Sequence, residues 1–282
     1  GSCFEIEALG RRFLVDCGLV QGDRDADERN RVALSRRDRA VDFVVATHAH
    51  IDHTGLLPRL ARLGYHGPVY ATPATCDLLG VMLPDSAFIQ EKDAEWARER
   101  EARRGRRNAT DGSEEEPLYT VKDAHEALRL LEPVSYATVF SPAPGITACF
   151  RDAGHILGSA ILELWIDRGG GAAPFKLVCS GDLGQPGRPV LPDPAPVAEA
   201  DALIVESTYG NRLHKSLPET YDEFAGVLSR VLPRGNVVVP SFAVGRTQEV
   251  LHVLADLAKQ GRVPPLNVFV DSPLATAATA IT

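Results

Sequence analysis

Long apolar runs are missing from this sequence, and their absence excludes one class of protein. No window of its 282 residues approaches the roughly 18 unbroken apolar residues that a membrane-spanning helix needs. The first five residues contain neither a basic nor an apolar segment, so they do not predict a signal peptide. Methionine occurs once, as Met82, so we expect the sequence to be part of a longer protein.

Cysteine is scarce and widely spaced. The five cysteines are odd in number and form no Cys-x-x-Cys pair, which excludes a disulfide framework and a cysteine zinc site. This pattern is typical of reduced thiols, and it predicts a cytoplasmic protein. The residues concerned are Cys3, Cys17, Cys76, Cys149 and Cys179.

Positive charge is also in deficit. Lysine and arginine together number 30 against 38 acidic residues, which gives a net charge of −8. A generally basic surface for nucleic acid is therefore excluded, and such a partner would need a local patch or bound metal ions. Hydrophobic residues make up 44% of the chain, enough for a sizeable core, and the length predicts about two domains.

The hydrophobic pattern alternates short strand-like runs with helical stretches, which indicates an α/β protein. Helices are predicted at residues 54–63, from Pro73 onwards, and at 91–107, 219–232 and 247–260. Strands are predicted at 4–8, 12–17, 41–47, 68–71, 147–152, 160–167, 176–180, 203–206, 236–240 and 268–271. Because the alternation becomes more regular there, we place a domain boundary near residue 209.

One segment combines three imidazoles and a carboxylate directly after a predicted core strand. Residues 47–55, here called the histidine loop, read Thr-His-Ala-His-Ile-Asp-His-Thr-Gly. His48 and His50 are two residues apart, so in an extended chain both side chains project to the same side. Asp52 and His53 lie where the chain turns into the next helix and can face a second position. The loop therefore predicts ligands for two metal ions, and a surface histidine cluster is the weaker alternative.

Further ligands must come from elsewhere, because four side chains cannot complete two tetrahedral sites. His155 and Asp182 follow predicted strands and lie among small residues. A carboxylate has two oxygens, so Asp182 is the natural candidate to bridge two metals. Asp16 also ends a strand and is expected to orient a histidine ring N–H, although a simple turn-forming aspartate is the alternative.

These residues resemble the motifs of a known superfamily. Asp16, His48-x-His50-x-Asp52-His53, His155 and Asp182 resemble, in order, motifs one to four of the metallo-β-lactamase fold. Residues 203–210, Leu-Ile-Val-Glu-Ser-Thr-Tyr-Gly, resemble the acidic motif that opens the β-CASP region of RNA- and DNA-processing nucleases. Residues 239–249 and 271–275 are similar to that branch as well. The sequence thus resembles the nuclease of mRNA 3′-end processing and its bacterial and archaeal counterparts.

The resemblance implies a fold. Residues 1–208 would form a metallo-β-lactamase αββα sandwich whose first strand is expected to be missing. Residues 209–282 would form the start of an inserted β-CASP α/β domain, which is expected to be incomplete here.

The resemblance also implies a site with two Zn²⁺ ions per full-length chain. One zinc would be held by His48, His50, His155 and Asp182, and the other by Asp52, His53 and Asp182. Asp52, Glu206 and Asp16 would be the catalytic residues. The family adds a histidine ligand and a histidine that pairs with the Glu206 position. No histidine follows His252, so both are expected beyond residue 282.

The implied function is hydrolysis of RNA phosphodiester bonds by a metal-bridging hydroxide, in RNA processing or decay. The expected partner is single-stranded RNA, with no membrane and with a homodimer left open. A hydrolase of small esters or thioesters, a DNA-directed nuclease and a non-catalytic scaffold are the alternatives. His66, His125 and His252 are interpreted as structural, whereas contact between His214 and a substrate phosphate is left open.

Overall fold

Two five-stranded sheets lie face to face in the computed structural model, which describes residues 1–22, 25–34, 40–103 and 116–282. The strands are β1 (Phe4–Ala8), β2 (Arg11–Val15), β3 (Phe43–Val45), β4 (Val69–Ala71), β5 (Leu131–Pro133), β6 (Val139–Ala143), β7 (Ile146–Asp152), β8 (Ala160–Ile166), β9 (Phe175–Cys179) and β10 (Ala202–Ile204). The helices are α1 (Ala26–Ala33), α2 (Ile51–Thr54), α3 (Leu57–Arg62), α4 (Pro73–Arg103), α5 (Val121–Leu128), α6 (Leu217–Val231), α7 (Arg246–Lys259) and α8 (Pro273–Ile281). The two-sheet α/β class expected from the sequence is confirmed.

The first sheet has the strand order β1-β2-β3-β4-β5. The two predicted strands β1 and β2 form an antiparallel hairpin, and its turn residues Leu9 and Gly10 have φ angles of 53° and 71°. Such angles match the turn type that suits the twist of a two-residue hairpin. Strands β2 to β5 run parallel, so their carboxyl ends meet at one edge of the sheet.

The second sheet has the order β10-β9-β8-β7-β6. Its strands β6 to β9 pair antiparallel, whereas β10 runs parallel to β9. Consequently β9 and β10 end at the same edge, where their following residues can meet. One backbone hydrogen bond, from Ala160 N to Thr47 O at 2.8 Å, joins the second sheet to the residues that follow β3.

The space between the sheets is filled by alternate residues of their strands. Phe13 and Val15 face this layer while Leu14 between them faces the opposite side, as the two-residue repeat of a strand requires. Phe13 stacks on Phe43 with ring centroids 4.4 Å apart. From the second sheet, Phe150 packs into the same core.

Helices cover the other face of the first sheet. The long helix α4 begins at Pro73, as predicted, because proline lacks only an N–H that would be unpaired at that position. Its buried Leu79 and Leu83 join a core that also includes Val244 and, from α8, Ala278. The predicted helix 91–107 is thus the end of α4, and residues 104–107 lie outside the described residues. No described helix is long and apolar enough to cross a bilayer.

Two strand predictions in the last third of the chain are wrong. Residues 236–240 and 268–271 are irregular, and side chains such as Val238 and Phe269 are 88% exposed. A strand is stable only when its N–H and C=O groups pair with a neighbour, and the described residues provide none there. Helices α6 and α7 nevertheless form as expected, with buried Leu228 and Leu257 between them. The domain boundary near residue 209 stays a prediction.

Removal of the aromatic stack should test the core between the sheets. Phe43 is 1% exposed, and Phe43→Ala is expected to lower the free energy of unfolding by about 3–5 kcal/mol. Phe88 on α4 is 53% exposed, so Phe88→Ala should cost well under about 1 kcal/mol. Urea unfolding of both variants provides the measurement. Equal losses would show that the inter-sheet layer is not the core on which the fold depends.

Candidate metal centre

Residues from both sheets converge at the edge where their strands end. Asp16 directly follows β2, His48 follows β3 by three residues, and Asp182 follows β9 by three residues. His155 lies on the turn between β7 and β8. This placement explains why residues that are far apart in sequence become neighbours.

Four of the predicted ligands form one group. Nδ1 of His50 lies 3.1 Å from Nε2 of His48 and 3.2 Å from Nε2 of His155. Asp182 Oδ2 lies 3.8 Å from the His48 nitrogen and 3.5 Å from the His155 nitrogen. Each residue offers one ligand atom, and these four atoms lie within 4.8 Å of one another.

The other carboxylate oxygen of Asp182 faces a different histidine. Its Oδ1 lies 3.2 Å from Nε2 of His53, and Oδ2 of Asp52 lies 3.8 Å from the same nitrogen. The two oxygens of Asp182 are therefore directed at the two ligand sets that the sequence predicted. Asp52 is the most exposed of these three side chains, at 44%.

The buried carboxylate of Asp16 fixes the histidine loop. Its Oδ1 accepts a hydrogen bond from Thr47 N at 2.7 Å, and its Oδ2 accepts one from Thr47 Oγ1 at 3.0 Å. Oδ2 also lies 2.7 Å from Nδ1 of His53. The φ angle of Asp16 is +62°, a conformation that costs a non-glycine residue about 1–2 kcal/mol. These contacts match the orienting role that the sequence suggested.

Burial favours the neutral form of three of the histidines. Burial, assisted by the neighbouring imidazoles, lowers the pKa of His48 well below its usual value. Burial likewise lowers the pKa of His50 to about 4 and also lowers the pKa of His155. A neutral imidazole has a nitrogen lone pair free to bind a metal, whereas a protonated one does not.

His53 differs because two carboxylates contact its ring. Burial alone would lower its pKa, but the hydrogen bonds with Asp16 and Asp182 outweigh burial and raise the pKa to about 10. Burial would raise the pKa of Asp182, but the hydrogen bond and the charge of His53 lower it. Without a metal ion these contacts favour a protonated His53, so a metal that binds Nε2 of His53 would displace the proton there.

The donor set fits a divalent cation. Three ring nitrogens converge to 3.1–3.2 Å contacts around His50, and each neutral ring has only one proton to place between them. Protons on the rings cannot pair all three nitrogen lone pairs, whereas one cation placed between the nitrogens can accept all of them. Imidazole nitrogens combined with carboxylate oxygens are typical of zinc and similar transition metals.

A close backbone approach holds the loop of Asp182 against the loop of His155. Gly184 N donates to Ala153 O at 2.8 Å, and a Cβ on Gly184 would lie 1.7 Å from the carbonyl oxygen of Gly154. Only glycine fits at this distance, so residue 184 sets the separation of the two ligand-bearing loops.

Glu206 lies beside the centre rather than inside it. Its Oε1 accepts from Leu183 N at 3.0 Å and its Oε2 from Thr208 N at 3.1 Å. Its own N–H donates to Ser180 Oγ at 3.1 Å. In this structure Glu206 therefore fixes the residue after Asp182, and its predicted catalytic role stays a prediction.

Sequence reasoning missed three hydroxyl residues that support the site. Thr47 contacts both Asp16 and, at 3.1 Å, Nδ1 of His48. Ser159 Oγ accepts from His155 N at 3.0 Å, and Ser180 contacts Glu206 as described above. Each lies within four residues of a predicted ligand or of Glu206, which is the only signal that the sequence offers.

The remaining histidines contribute nothing to the centre: His252, for example, lies 3.2 Å from Asp256 on α7.

Comparison with known proteins agrees with this geometry. Residues 1–132 match the protein family described as the metallo-beta-lactamase superfamily. The chain contains a metallo-β-lactamase domain. The matched segment includes Asp16 and the histidine loop, whereas His155 and Asp182 lie beyond it.

Two curated proteins match nearly the whole chain, beyond the metallo-β-lactamase domain. The chain is 38% identical to Ribonuclease TTHA0252 of Thermus thermophilus, over 98% of its own length and 56% of that protein. It is 32% identical to Transcription termination factor FttA of Methanosarcina mazei, over 96% of its own length and 39% of that protein. The chain thus spans about half or less of these relatives. Together with the motif at Glu206, the matches confirm the resemblance to the β-CASP branch.

Loss of the Asp16 charge should weaken metal binding without removing any ligand. Asp16→Asn keeps the side-chain shape but weakens the contact that orients His53, so affinity for Zn²⁺ should fall about 10- to 100-fold at one site. Calorimetric titration of the apoprotein measures this change. Asp42→Asn is the matched control, because Asp42 bonds to Arg11 and to Arg12 N away from the centre. Unchanged zinc affinity in Asp16→Asn would contradict the orienting role.

A wider gap between the loop of Asp182 and the loop of His155 should lower both stability and zinc affinity. In Gly184→Ala the new methyl group must displace the Gly154 carbonyl, which should cost about 1–3 kcal/mol of stability and weaken zinc binding. A methyl group on Gly226 of α6 would point into open space, so Gly226→Ala should preserve both properties. Urea unfolding and zinc titration of the two variants give the comparison. Full zinc affinity in Gly184→Ala would show that this approach does not set the site.

Proposed function

We propose that the protein is a metal-dependent ribonuclease that hydrolyses phosphodiester bonds of single-stranded RNA. The observation that carries this proposal is the attachment of Glu206, from the β-CASP-like motif, to the loop of Asp182. This contact joins the nuclease-type motif to the metal centre. A relative that is 38% identical bears the name ribonuclease, which supports the same class of substrate.

We further propose two Zn²⁺ ions as the resident metals. His48, His50 and His155 with Asp182 would hold one ion, and His53 and Asp52 with Asp182 would hold the other. When bound, two such ions supply Lewis acidity towards phosphate oxygens and lower the pKa of water. The orientation of Asp182, with one oxygen towards each ligand set, supports the bridging position.

Three acidic side chains of the chain would have separate roles in the reaction. Asp16 holds His53 in one orientation through Nδ1, which leaves Nε2 directed at Asp182. Asp52 is the exposed carboxylate of the centre and is suited to accept a proton from an attacking water molecule. Glu206 keeps the residue after Asp182 in place, and we propose that it acts on the leaving-group side, as the resemblance implies.

Charge also favours a metal-dependent mode of substrate binding. The chain has a net charge of −8, which opposes the approach of a polyanion. Two divalent cations would add four positive charges at the edge of the sheets, where RNA must approach. The same reasoning applies to DNA, so the choice of RNA rests on the motifs and on the named relative. The cysteine spacing supports a cytoplasmic location, and a homodimer stays a prediction.

RNA hydrolysis by the full-length protein is the direct test. We expect zinc-loaded protein to cleave a single-stranded RNA and to lose this activity on chelation. Asp182→Ala should lose both metals and reduce cleavage to background, because both ligand sets depend on that carboxylate. His53→Ala should mainly weaken one metal. Metal content is measured by elemental analysis and cleavage by gel electrophoresis.

Comparison of RNA, DNA, thioester and lactone substrates distinguishes the nuclease proposal from the alternative functions. Asp193→Ala serves as the control, because Asp193 lies outside the ligand sets and accepts only from Gly187 N among the described hydrogen bonds. Cleavage of single-stranded DNA in preference to RNA would reassign the protein as a DNA-directed nuclease. Turnover of a thioester or lactone without RNA cleavage would move it to the small-molecule hydrolases. Full metal content in Asp182→Ala would overturn the bridging assignment.

A further inference from the structure

The aromatic ring of Tyr209, three residues after Glu206, is flanked by an arginine and a histidine. The guanidinium carbon of Arg212 lies 4.6 Å from the centroid of the Tyr209 ring. The imidazole of His214 contacts the same ring at 4.5 Å between centroids, with an interplanar angle of 70°. We call these three residues the Tyr209 cluster. A backbone hydrogen bond from Arg212 N to Tyr209 O, at 3.2 Å, closes the turn that brings them together.

A short chain segment connects the Tyr209 cluster to the candidate active site. Tyr209 follows Glu206 by three residues, and an extended chain of that length spans at most about 11 Å. Glu206 is itself fixed to Leu183 N, directly after Asp182. The backbone of Tyr209 therefore lies within about 11 Å of that of Glu206, which contacts the loop of Asp182.

The cluster offers the groups that single-stranded nucleic acid requires. Tyr209 is half exposed, at 49%, although Arg212 and His214 pack against its ring. Arg212 and His214 are exposed, and the salt bridges found among the described residues do not involve either of them. Exposed aromatic rings stack on bases of any sequence, and an adjacent guanidinium can bind the phosphate of the same nucleotide.

We propose that the Tyr209 cluster is a nucleotide-binding subsite for single-stranded RNA next to the scissile bond. A base stacks on Tyr209, while Arg212 and His214 contact a neighbouring phosphate. This inference rests on the proposed ribonuclease function and specifies how its substrate is held. A protein partner would also bury a tyrosine and an arginine, but the short connection to Glu206 favours the substrate of the same centre.

Binding of RNA to zinc-loaded full-length protein, measured with an oligouridylate whose phosphorothioate linkages resist cleavage, tests the stacking contact separately from catalysis. Fluorescence anisotropy at low salt, with a labelled oligouridylate, should show a Kd about 10-fold higher for Tyr209→Leu. Tyr209→Phe keeps the ring and should stay within about twofold of the unmodified protein. Leu213→Ala is the matched control, because Leu213 is adjacent, apolar and 99% exposed, and it should also leave the Kd unchanged.

The phosphate contact has its own measurement. Arg212→Gln should reduce the slope of log Kd against log salt concentration by about 0.7, the value for one contact with a single strand. The salt dependence of Arg212→Gln also tests the proposal on its own, if Tyr209→Leu does not fold. Normal salt dependence in Arg212→Gln shows that the guanidinium does not contact RNA.

The outcomes distinguish the subsite from the function. If the unmodified protein binds and cleaves RNA while Tyr209→Leu and Arg212→Gln bind it equally well, the subsite is wrong and the ribonuclease proposal stands. If the unmodified protein neither binds nor cleaves RNA, the proposed function fails and the subsite fails with it. A selective loss in Tyr209→Leu, rescued by Tyr209→Phe, supports the stacking assignment.

Discussion

The contact between the buried carboxylate of Asp16 and the histidine loop is the interaction on which the candidate site depends. Asp16 ends β2 and binds both the backbone and the side chain of Thr47, so it attaches the start of the loop to the first sheet. The same carboxylate orients His53. A strained backbone at Asp16 is maintained because these contacts and the surrounding core determine its position. The first sheet therefore fixes the conformation of the histidine loop, and the histidine loop fixes the positions of its ligand side chains.

The centre is a joint product of the two sheets. The histidine loop comes from the first sheet, while His155 and Asp182 come from the second, and the hydrogen bond from Ala160 N to Thr47 O joins the two at this edge. Gly184 then sets how closely the loops of the second sheet approach each other. The inter-sheet core thus has a functional consequence, because any change in sheet separation also changes the distances between ligands.

Most of the ligand arrangement could be predicted from the sequence because His-x-His-x-Asp-His is dense and follows a core strand. Thr47, Ser159 and Ser180 could not, since single hydroxyl residues beside strands are too common to indicate a role. The failed strands at 236–240 and 268–271 show a different limit. Their apolar residues favour a strand locally, but pairing depends on neighbours that local sequence does not specify. The position of Glu206, which binds backbone N–H groups beside the centre, likewise required the tertiary structure.

X-ray absorption at the zinc edge of the zinc-loaded protein tests the metal centre most directly. The described ligands are expected to give nitrogen and oxygen scatterers at about 2.0–2.2 Å, with the outer-shell pattern of imidazole. A second zinc at about 3.5–4 Å would accompany them if Asp182 bridges the two ions. A shell of sulfur at about 2.3 Å, or a shell without imidazole, would contradict the assignment of His48, His50 and His155 as ligands.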